Sequence, residues 1–193
     1  MNKLIKDELL SLEEYDKKRD DIKLQIIKHK EHRSVKIGEN ILLLFEDFKT
    51  IKYQIQEMLR IEKIFNDKEI DEEISAYSAL IPDGSNLKAT MLIMYPNVAE
   101  RKTMLNKLHD IENNIWLSID NGKRIFAIAD EDLERSRDEK TSAVHFLRFE
   151  LDDISVSKFK ESNNVSIGTD HSQYDKHTEL SLKVIETLSD DFS

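Results

Sequence analysis

The chain has 193 residues, a formal net charge of −10 and no cysteine. The missing cysteine excludes disulfide bonds, thiolate metal ligands, iron–sulfur clusters held by this chain and a cysteine nucleophile. The negative charge argues against a nucleic-acid partner, because phosphate groups would be repelled. No segment is as apolar as a signal-peptide core or a membrane helix. We therefore expect a cytoplasmic protein that forms a single domain over residues 1–193, with no nucleic-acid or membrane partner.

The first half of the chain mixes helical and strand patterns. Ser11 and Glu14 form a capping-box signature, which predicts that a helix over residues 12–30 begins here. Strand and helix periodicities then follow each other along the chain. The predicted elements are a hairpin over 35–37 and 41–45, helices over 50–65 and after Asn66, a strand over 88–95 and a helix after Asn97.

The second half contains the clearest turn signal. Asp120-Asn121-Gly122 lies between two apolar runs and predicts a hairpin, because Asn-Gly tolerates the positive φ angles of a tight turn. The polar residues 130–140 predict an exposed loop or frayed helix. The other predicted elements are hairpin strands over 115–119 and 123–129, strands over 143–151 and 165–169, and helices over 155–161 and within 180–188. This mixture favours an α+β fold, with a mixed, mainly antiparallel sheet of about six to seven strands and helices packed on it.

The sequence carries no strong catalytic signature. It has no glycine-rich phosphate loop, no nucleophile elbow, no His-Glu-x-x-His zinc motif and no EF-hand loop. With only 4 glycines in the chain, a backbone cradle for phosphate is disfavoured. Candidate functional residues therefore come from weaker patterns.

The strand predicted over 143–151 carries two such candidates. Period-two alternation places His145 on the more apolar face and Arg148 with Glu150 on the other. His145 is either a core histidine satisfied by a hydrogen bond or a ligand or general base. Arg148 and Glu150 form either a charge ladder across strands or a substrate clamp.

A second group follows the strand predicted over 165–169. Asp170 and His171 are expected on a loop at a strand end, where they either close a turn or contribute to a site. His29 and His32 have a spacing that suits a metal on a helix, but they lie at a charged helix end without a third ligand nearby in sequence.

The helix containing QIQEMLRIE, residues 54–62, has polar residues at the edge of its apolar stripe. Gln54, Glu57 and Arg60 border the stripe instead of lying opposite it, and Glu57 can pair with Arg60 at i, i+3 spacing. One interpretation is a boundary helix with an intrahelical ion pair. The other is a polar pocket between this helix and the sheet, lined by these three side chains.

Six segments, in order and spread over nearly the whole chain, carry a family resemblance. They are LLSLEEY (9–15), LLLFED (42–47), QIQEMLRIE (54–62), AYSALIP (76–82), SAVHFLRFEL (142–151) and TDHSQY (169–174). The chain resembles a bacterial family catalogued as domain of unknown function 3501. The resemblance implies no established activity, but it implies gene neighbours of the rubrerythrin-like and iron–sulfur oxidoreductase kinds. The residues that match the family's polar motifs are taken as a candidate pocket: Gln54, Glu57, Arg60, His145, Arg148, Asp170, His171 and Tyr174.

Two functions of different classes follow from these patterns. The first is a non-enzymatic binding or accessory protein linked to redox or oxidative-stress systems, with a rubrerythrin-like or iron–sulfur oxidoreductase partner. The second is an enzyme that uses a divalent metal, iron, manganese or zinc, held by Glu57, His145 and His171. A homodimer is expected, since two-fold homodimers are the commonest soluble oligomers.

Overall fold

The structure, a computed structural model, describes residues 4–131, 135 and 140–192. These residues form six α-helices and nine β-strands. The helices are α1 (Leu12–Lys30), α2 (Phe48–Glu62), α3 (Asp67–Ser78), α4 (Val98–Lys107), α5 (Asp153–Glu161) and α6 (Leu182–Ser189). The strands are β1 (Ser34–Ile37), β2 (Ile41–Glu46), β3 (Asn86–Ile93), β4 (Ile115–Ile119), β5 (Ile125–Phe126), β6 (Ile128–Ala129), β7 (Val144–Glu150), β8 (Val165–His171) and β9 (Tyr174–Glu179). Within these residues no helix is both long and apolar enough to cross a membrane.

The strands form two antiparallel sheets. The larger sheet has the order β1-β2-β3-β7-β6 and the smaller one the order β5-β4-β8-β9. The α+β class is therefore confirmed, but the strands are divided between two sheets where the sequence predicted one. The main core lies between the sheets, where alternate residues such as Leu43, Met91 and Ile167 are fully buried.

The division into two sheets takes place at Ala127. The sequence predicted one hairpin strand over 123–129, but β5 pairs with β4 whereas β6 pairs with β7. Between them, the Ala127 amide donates a hydrogen bond to the carbonyl of Ile115. The chain thus passes from the smaller sheet to the larger one within a single apolar run, which a periodicity of two does not reveal.

Local signals set most helix ends as predicted. α1 has the predicted bounds, and its Ser11 hydroxyl accepts a hydrogen bond from the Glu14 amide. α2 begins earlier than predicted, because Asp47 is the N-cap and accepts a hydrogen bond from the Thr50 amide. α2 ends at Glu62 because Lys63 adopts a left-handed conformation, with φ of 55°.

Two turns differ from their predictions. In the β4–β5 hairpin the positive φ angles lie at Asp120 and Asn121 instead of Asn121 and Gly122, and the Gly122 amide closes the turn on Ile119. Asp170 and His171 are the last residues of β8 and begin a hairpin with β9, a strand that the sequence did not predict. Of the segment 130–140, only residues 130, 131, 135 and 140 lie within the described residues.

A second, smaller core lies outside the sandwich of sheets. It joins α2 and α3 to the start of the chain through Leu4, Ile51, Ile55, Leu59 and Ile74. α2 approaches the outer face of the larger sheet at Thr50, whose hydroxyl bonds to Glu46 of β2. The helix pair therefore covers only part of that outer face.

Candidate functional site

The eight polar residues suggested as one pocket lie in four separate places. These are a groove between α2, α3 and the larger sheet (Gln54 and Arg148), the contact between α1 and α2 (Glu57 and Arg60), a buried cluster at β7 (His145) and the β8–β9 hairpin (Asp170, His171 and Tyr174). The groove is the place where residues of this candidate pocket, Gln54 and Arg148, line an open volume.

Glu57 joins α2 to α1. Its carboxylate accepts two hydrogen bonds from the Arg19 guanidinium, at 2.8 and 2.9 Å, and one from the Tyr15 hydroxyl at 2.8 Å. Arg60 is the weaker partner, with its nearest nitrogen 3.5 Å from the carboxylate. The Arg19 hydrogen bonds lower the pKa of Glu57 to about 2, although partial burial opposes them. The predicted pair of Glu57 and Arg60 thus exists, but a longer-range pair with Arg19 dominates.

Gln56, which the sequence did not suggest, is a second buried polar residue of this helix besides Thr50. Its side-chain oxygen accepts a hydrogen bond from the Leu10 amide at 2.8 Å, and its nitrogen donates to the Leu10 carbonyl at 3.1 Å. One amide side chain therefore satisfies both backbone groups of a residue 46 positions away. QIQEMLRIE uses Gln56 and Glu57 to hold the N-terminal segment, and Gln54 faces the groove.

His145 is completely buried, and both of its ring nitrogens are engaged. Nδ1 lies 2.6 Å from an Asp130 oxygen, and Nε2 lies 2.8 Å from the Thr141 hydroxyl and 3.0 Å from the Ser142 carbonyl. The Thr141 hydroxyl in turn donates to Glu112 at 3.0 Å. The order Asp130, His145, Thr141 resembles a nucleophile triad, but Thr141 is only 1% exposed. Neither nitrogen is left to accept a proton from a substrate.

The predicted metal ligands do not meet in the structure. Among the described residues, one group of three ligand atoms lies within 4.8 Å of one another, and it consists of Glu112, Asp130 and His145. Glu57 faces α1, and His171 bonds the carbonyl of His109 at 2.9 Å. The three predicted ligands project from different layers, so the set of Glu57, His145 and His171 is replaced by one in which only His145 remains.

The new group has the donor types that a divalent ion requires, but the spacing of a hydrogen bond. Ligand atoms on one ion with bonds near 2.1 Å lie about 3.0–3.4 Å apart. The 2.6 Å between His145 Nδ1 and Asp130 is shorter. An ion would therefore have to replace a proton and move one of the two side chains.

The β8–β9 hairpin uses its polar residues to hold the fold. Asp170 accepts a hydrogen bond from the Trp116 indole at 2.8 Å and pairs with Arg124. The Tyr174 hydroxyl donates to the Ile37 carbonyl at 2.8 Å. It lies so close to Gly38, which has φ of 62°, that a Cβ there would be 2.5 Å from the hydroxyl. Tyr174 thus fixes the β1–β2 turn to β9.

Arg33 forms another cluster that the sequence did not suggest. Its guanidinium is 2% exposed and donates to the carbonyls of Phe45 and Glu46, at 3.1 and 3.2 Å. It also pairs with Asp191 near the C-terminus and lies 3.6 Å from Asp47. The charge is therefore buried among partners from four elements.

A cleft of about 460 Å³ opens beside this cluster. Four of its charged or titratable side chains bind one another, namely His29, Arg33, Asp47 and Asp191. His29 Nε2 lies 2.5 Å from an Asp47 oxygen. Burial raises the pKa of Asp191 to about 7, although the Arg33 guanidinium opposes this change. Sequence distance explains why the cluster was missed, since Arg33 and Asp191 are 158 positions apart.

The groove lies between α2, α3 and the outer face of the larger sheet and has a volume of about 780 Å³. Volumes of about 300–1,000 Å³ are typical of small-molecule sites. The α2 wall consists of residues four positions apart, which lie on one face of the helix. The residues of the α3 wall are likewise three or four positions apart. The main lining residues are Gln54, Met58 and Glu62 from α2, Glu73, Ala76, Tyr77 and Leu80 from or beside α3, and Lys88, Phe146 and Arg148 from the sheet.

Lys88 is the notable residue of the groove floor. On the sheet it is directly opposite Arg148 on one side and Glu46 on the other. The Glu46 carboxylate is already held by the hydroxyls of Thr50 and Thr90, at 2.6 and 2.7 Å. In the parts of the chain that the structure describes, no carboxylate forms an ion pair with Lys88. Burial, followed by the nearby Arg148 charge, lowers the pKa of Lys88.

The other charges of the floor are paired. Arg148 donates two hydrogen bonds of 2.8 Å to Glu131 and also pairs with Glu150. Arg148 and Glu150 therefore pair along one strand, where the sequence suggested either a charge ladder across strands or a substrate clamp. Arg135 stacks over the Phe146 ring at 4.6 Å and pairs with Asp130. The floor thus combines an aromatic surface, paired guanidinium groups and one ammonium group without a carboxylate partner among the described residues.

The acidic side of the groove is the helix wall. Glu62 of α2 and Glu73 of α3 both line it. Burial, followed by the charge of Glu62, raises the pKa of Glu73. The helix wall is therefore acidic, and Asp83 and Glu131 add two more carboxylates to the lining.

Fold and groove together define an α+β protein with two antiparallel sheets and a mixed-charge groove on the outer face of the larger one. A family model described as a protein of unknown function (DUF3501) matches residues 3–192, and the chain belongs to this family. A crystal structure of a protein of unknown function from Burkholderia pseudomallei is 48% identical, covers 100% of both chains and has a TM-score of 0.94. No curated protein matches the chain.

The α1–α2 contact gives a pH-dependent prediction. Because the folded pKa of Glu57 is lowered from 4.5 to about 2, its ionised form stabilises the fold above pH 4.5, and this stabilisation is lost as pH falls towards 2. We expect Glu57→Gln to lower the free energy of unfolding by about 1 kcal/mol at pH 7, since solvent reaches the pair. The difference from the unsubstituted protein should shrink between pH 4.5 and 2.

The measurement is urea unfolding followed by circular dichroism at several pH values. Glu13→Gln is the matched control, because Glu13 pairs with Lys17 on the exposed side of α1 and should have little effect at any pH. Equal effects of the two substitutions at pH 7 would contradict the role assigned to Glu57.

Proposed function

We propose that this protein is a non-enzymatic binding protein and that the groove between α2, α3 and the larger sheet receives its ligand. The observation that carries this proposal is the combination of a 780 Å³ groove with Lys88 on its floor. Apolar walls with a few well-placed polar groups are the usual composition of a ligand site. Gln54 and Arg148, two residues of the candidate pocket, contribute to this groove.

The state of the remaining polar residues favours binding over catalysis. A general base needs a free lone pair within reach of its substrate. His145 is enclosed and engaged at both nitrogens, and Glu57 is held by Tyr15 and Arg19. Both residues are used to hold elements together, so neither is available for proton transfer in the arrangement described.

Filling the groove should abolish ligand binding without unfolding the protein. Ala76 lies on the exposed rim of the α3 wall, so Ala76→Trp would place an indole across it. Metabolites that raise the melting temperature of the unsubstituted protein in a thermal-shift screen should have no effect on Ala76→Trp. Ala99→Trp, at an exposed position of α4, should respond like the unsubstituted protein. Stabilisation of both variants by the same compounds would place binding elsewhere.

The accessory role in a redox or oxidative-stress system is a further part of this proposal, and it rests on the family resemblance. The expected partner is a rubrerythrin-like or iron–sulfur oxidoreductase protein. Each purified candidate partner should be retained by the immobilised chain in a pull-down, and less of it by Ala76→Trp if the groove takes part. Retention no greater than on an unrelated acidic protein would remove the redox association.

A metal site is the second candidate, favoured by the grouping of Glu112, Asp130 and His145. If it holds iron, manganese or zinc, the metal should remain with the protein purified without a histidine tag and be measurable by elemental analysis. His145→Gln should then lose it, whereas His171→Gln should retain it, because His171 lies outside the group. Metal below about 0.1 equivalents after incubation with each ion would exclude a structural role for it.

A further inference from the structure

The ligand class of the groove can be inferred from its floor, an inference that rests on the function proposed above. We propose that the groove binds an organic anion, with a carboxylate or phosphate group at Lys88 and an apolar, aromatic body against Phe146 and Tyr77. The groove, the register of the strands and the partners of each charged side chain support this assignment.

The environment of Lys88 is unfavourable for a charged side chain. Like charges directly opposite each other on a sheet are destabilising, and Lys88 is opposite Arg148. Burying part of an ammonium group without a carboxylate partner adds a desolvation cost. The lowered pKa of Lys88 agrees with such an environment. The attraction of Glu131, Asp83 and Glu150 only partly offsets these costs, so we expect a methionine of similar length to fit this position without loss of stability.

The carboxylates near Lys88 have other partners within the chain. Glu46, the direct neighbour of Lys88 on β2, has both oxygens committed to Thr50 and Thr90. Glu131 binds Arg148 through two hydrogen bonds. Asp83 and Glu150 also attract the Lys88 ammonium group, but Asp83 accepts hydrogen bonds from Ser85, and Glu150 accepts them from Ser85 and Asn86. The carboxylates around Lys88 are therefore engaged by other donors, and an anion from outside would complete the coordination of Lys88.

The aromatic and acidic side chains of the groove indicate what the rest of the ligand is. Phe146 precedes Arg148 by two positions on the same face of β7, and Tyr77 lies on the facing helix wall. Aromatic walls favour a planar apolar body. Glu62 and Glu73 make the helix side acidic, so a second negative charge at the far end of the ligand would be repelled. A ligand with its anionic group at one end only is therefore expected.

The test uses benzoate, phenyl phosphate and the neutral analogue benzamide as probes of the full chain labelled with ¹⁵N. In chemical-shift titrations benzoate or phenyl phosphate should perturb the amides of Lys88, Phe146 and Tyr77. Benzamide should bind about tenfold more weakly, the ratio expected for one charge-assisted contact. Lys88→Met should reduce benzoate affinity to that of benzamide. Lys36→Met, on the same sheet but outside the groove, should leave it unchanged.

The stability of Lys88→Met is the second measurement. If the lysine is present for a ligand, this variant should be at least as resistant to urea as the unsubstituted protein. A clear loss of resistance would make Lys88 a structural residue and overturn the inference. Equal affinities for benzoate and benzamide would overturn the anion class but leave binding in the groove intact. Perturbations confined to other sites, or none at 20 mM of any probe, would also overturn it, and the metabolite screen with Ala76→Trp then decides the proposed function separately.

Discussion

Arg33 is held almost out of contact with water, and several layers of the protein meet at its guanidinium group. It follows α1 directly, bonds to two carbonyls at the end of β2 and pairs with Asp191 beside the C-terminus. A buried charge is tolerated only where its donors are satisfied, so the geometry of these elements is closely constrained. Asp47, which lies 3.6 Å away, is also the N-cap of α2. The position from which α2 leaves the sheet, and with it the groove, depends on this cluster.

Sequence patterns predicted what is decided locally. The Ser11 capping box fixes the start of α1, and Asn97 caps α4 in the same way, because a cap and its partner lie within one helical turn. The α+β class followed from the periodicities. The division into two sheets did not, because it depends on which strand each half of the run around Ala127 pairs with. This pairing is determined by the packing of strands that are distant in sequence, so the local hydrophobic pattern does not reveal it.

The candidate site was predictable only in part, for the same reason. Gln54 was found because it borders the apolar stripe of α2, and Arg148 because period-two alternation places it on the less apolar face of β7. Glu57 was identified, but its main partner Arg19 is 38 positions away, and only the fold brings the two together. Lys88 did leave a signal, since a charged residue inside an otherwise apolar central strand is unusual. The sequence alone could not show whether this lysine had a partner.

The groove differs from the buried clusters in how its polar groups are satisfied. Arg33 and His145 are more deeply buried, and the polar groups of both side chains are bound by other parts of the chain. In the groove, the Thr50 hydroxyl that docks α2 on the sheet also takes one oxygen of Glu46, and Thr90 takes the other. The contact that positions the helix wall thus also engages the carboxylate that lies opposite Lys88 on β2. The docking of α2 therefore both forms the groove and determines which groups are left to surround the Lys88 ammonium group.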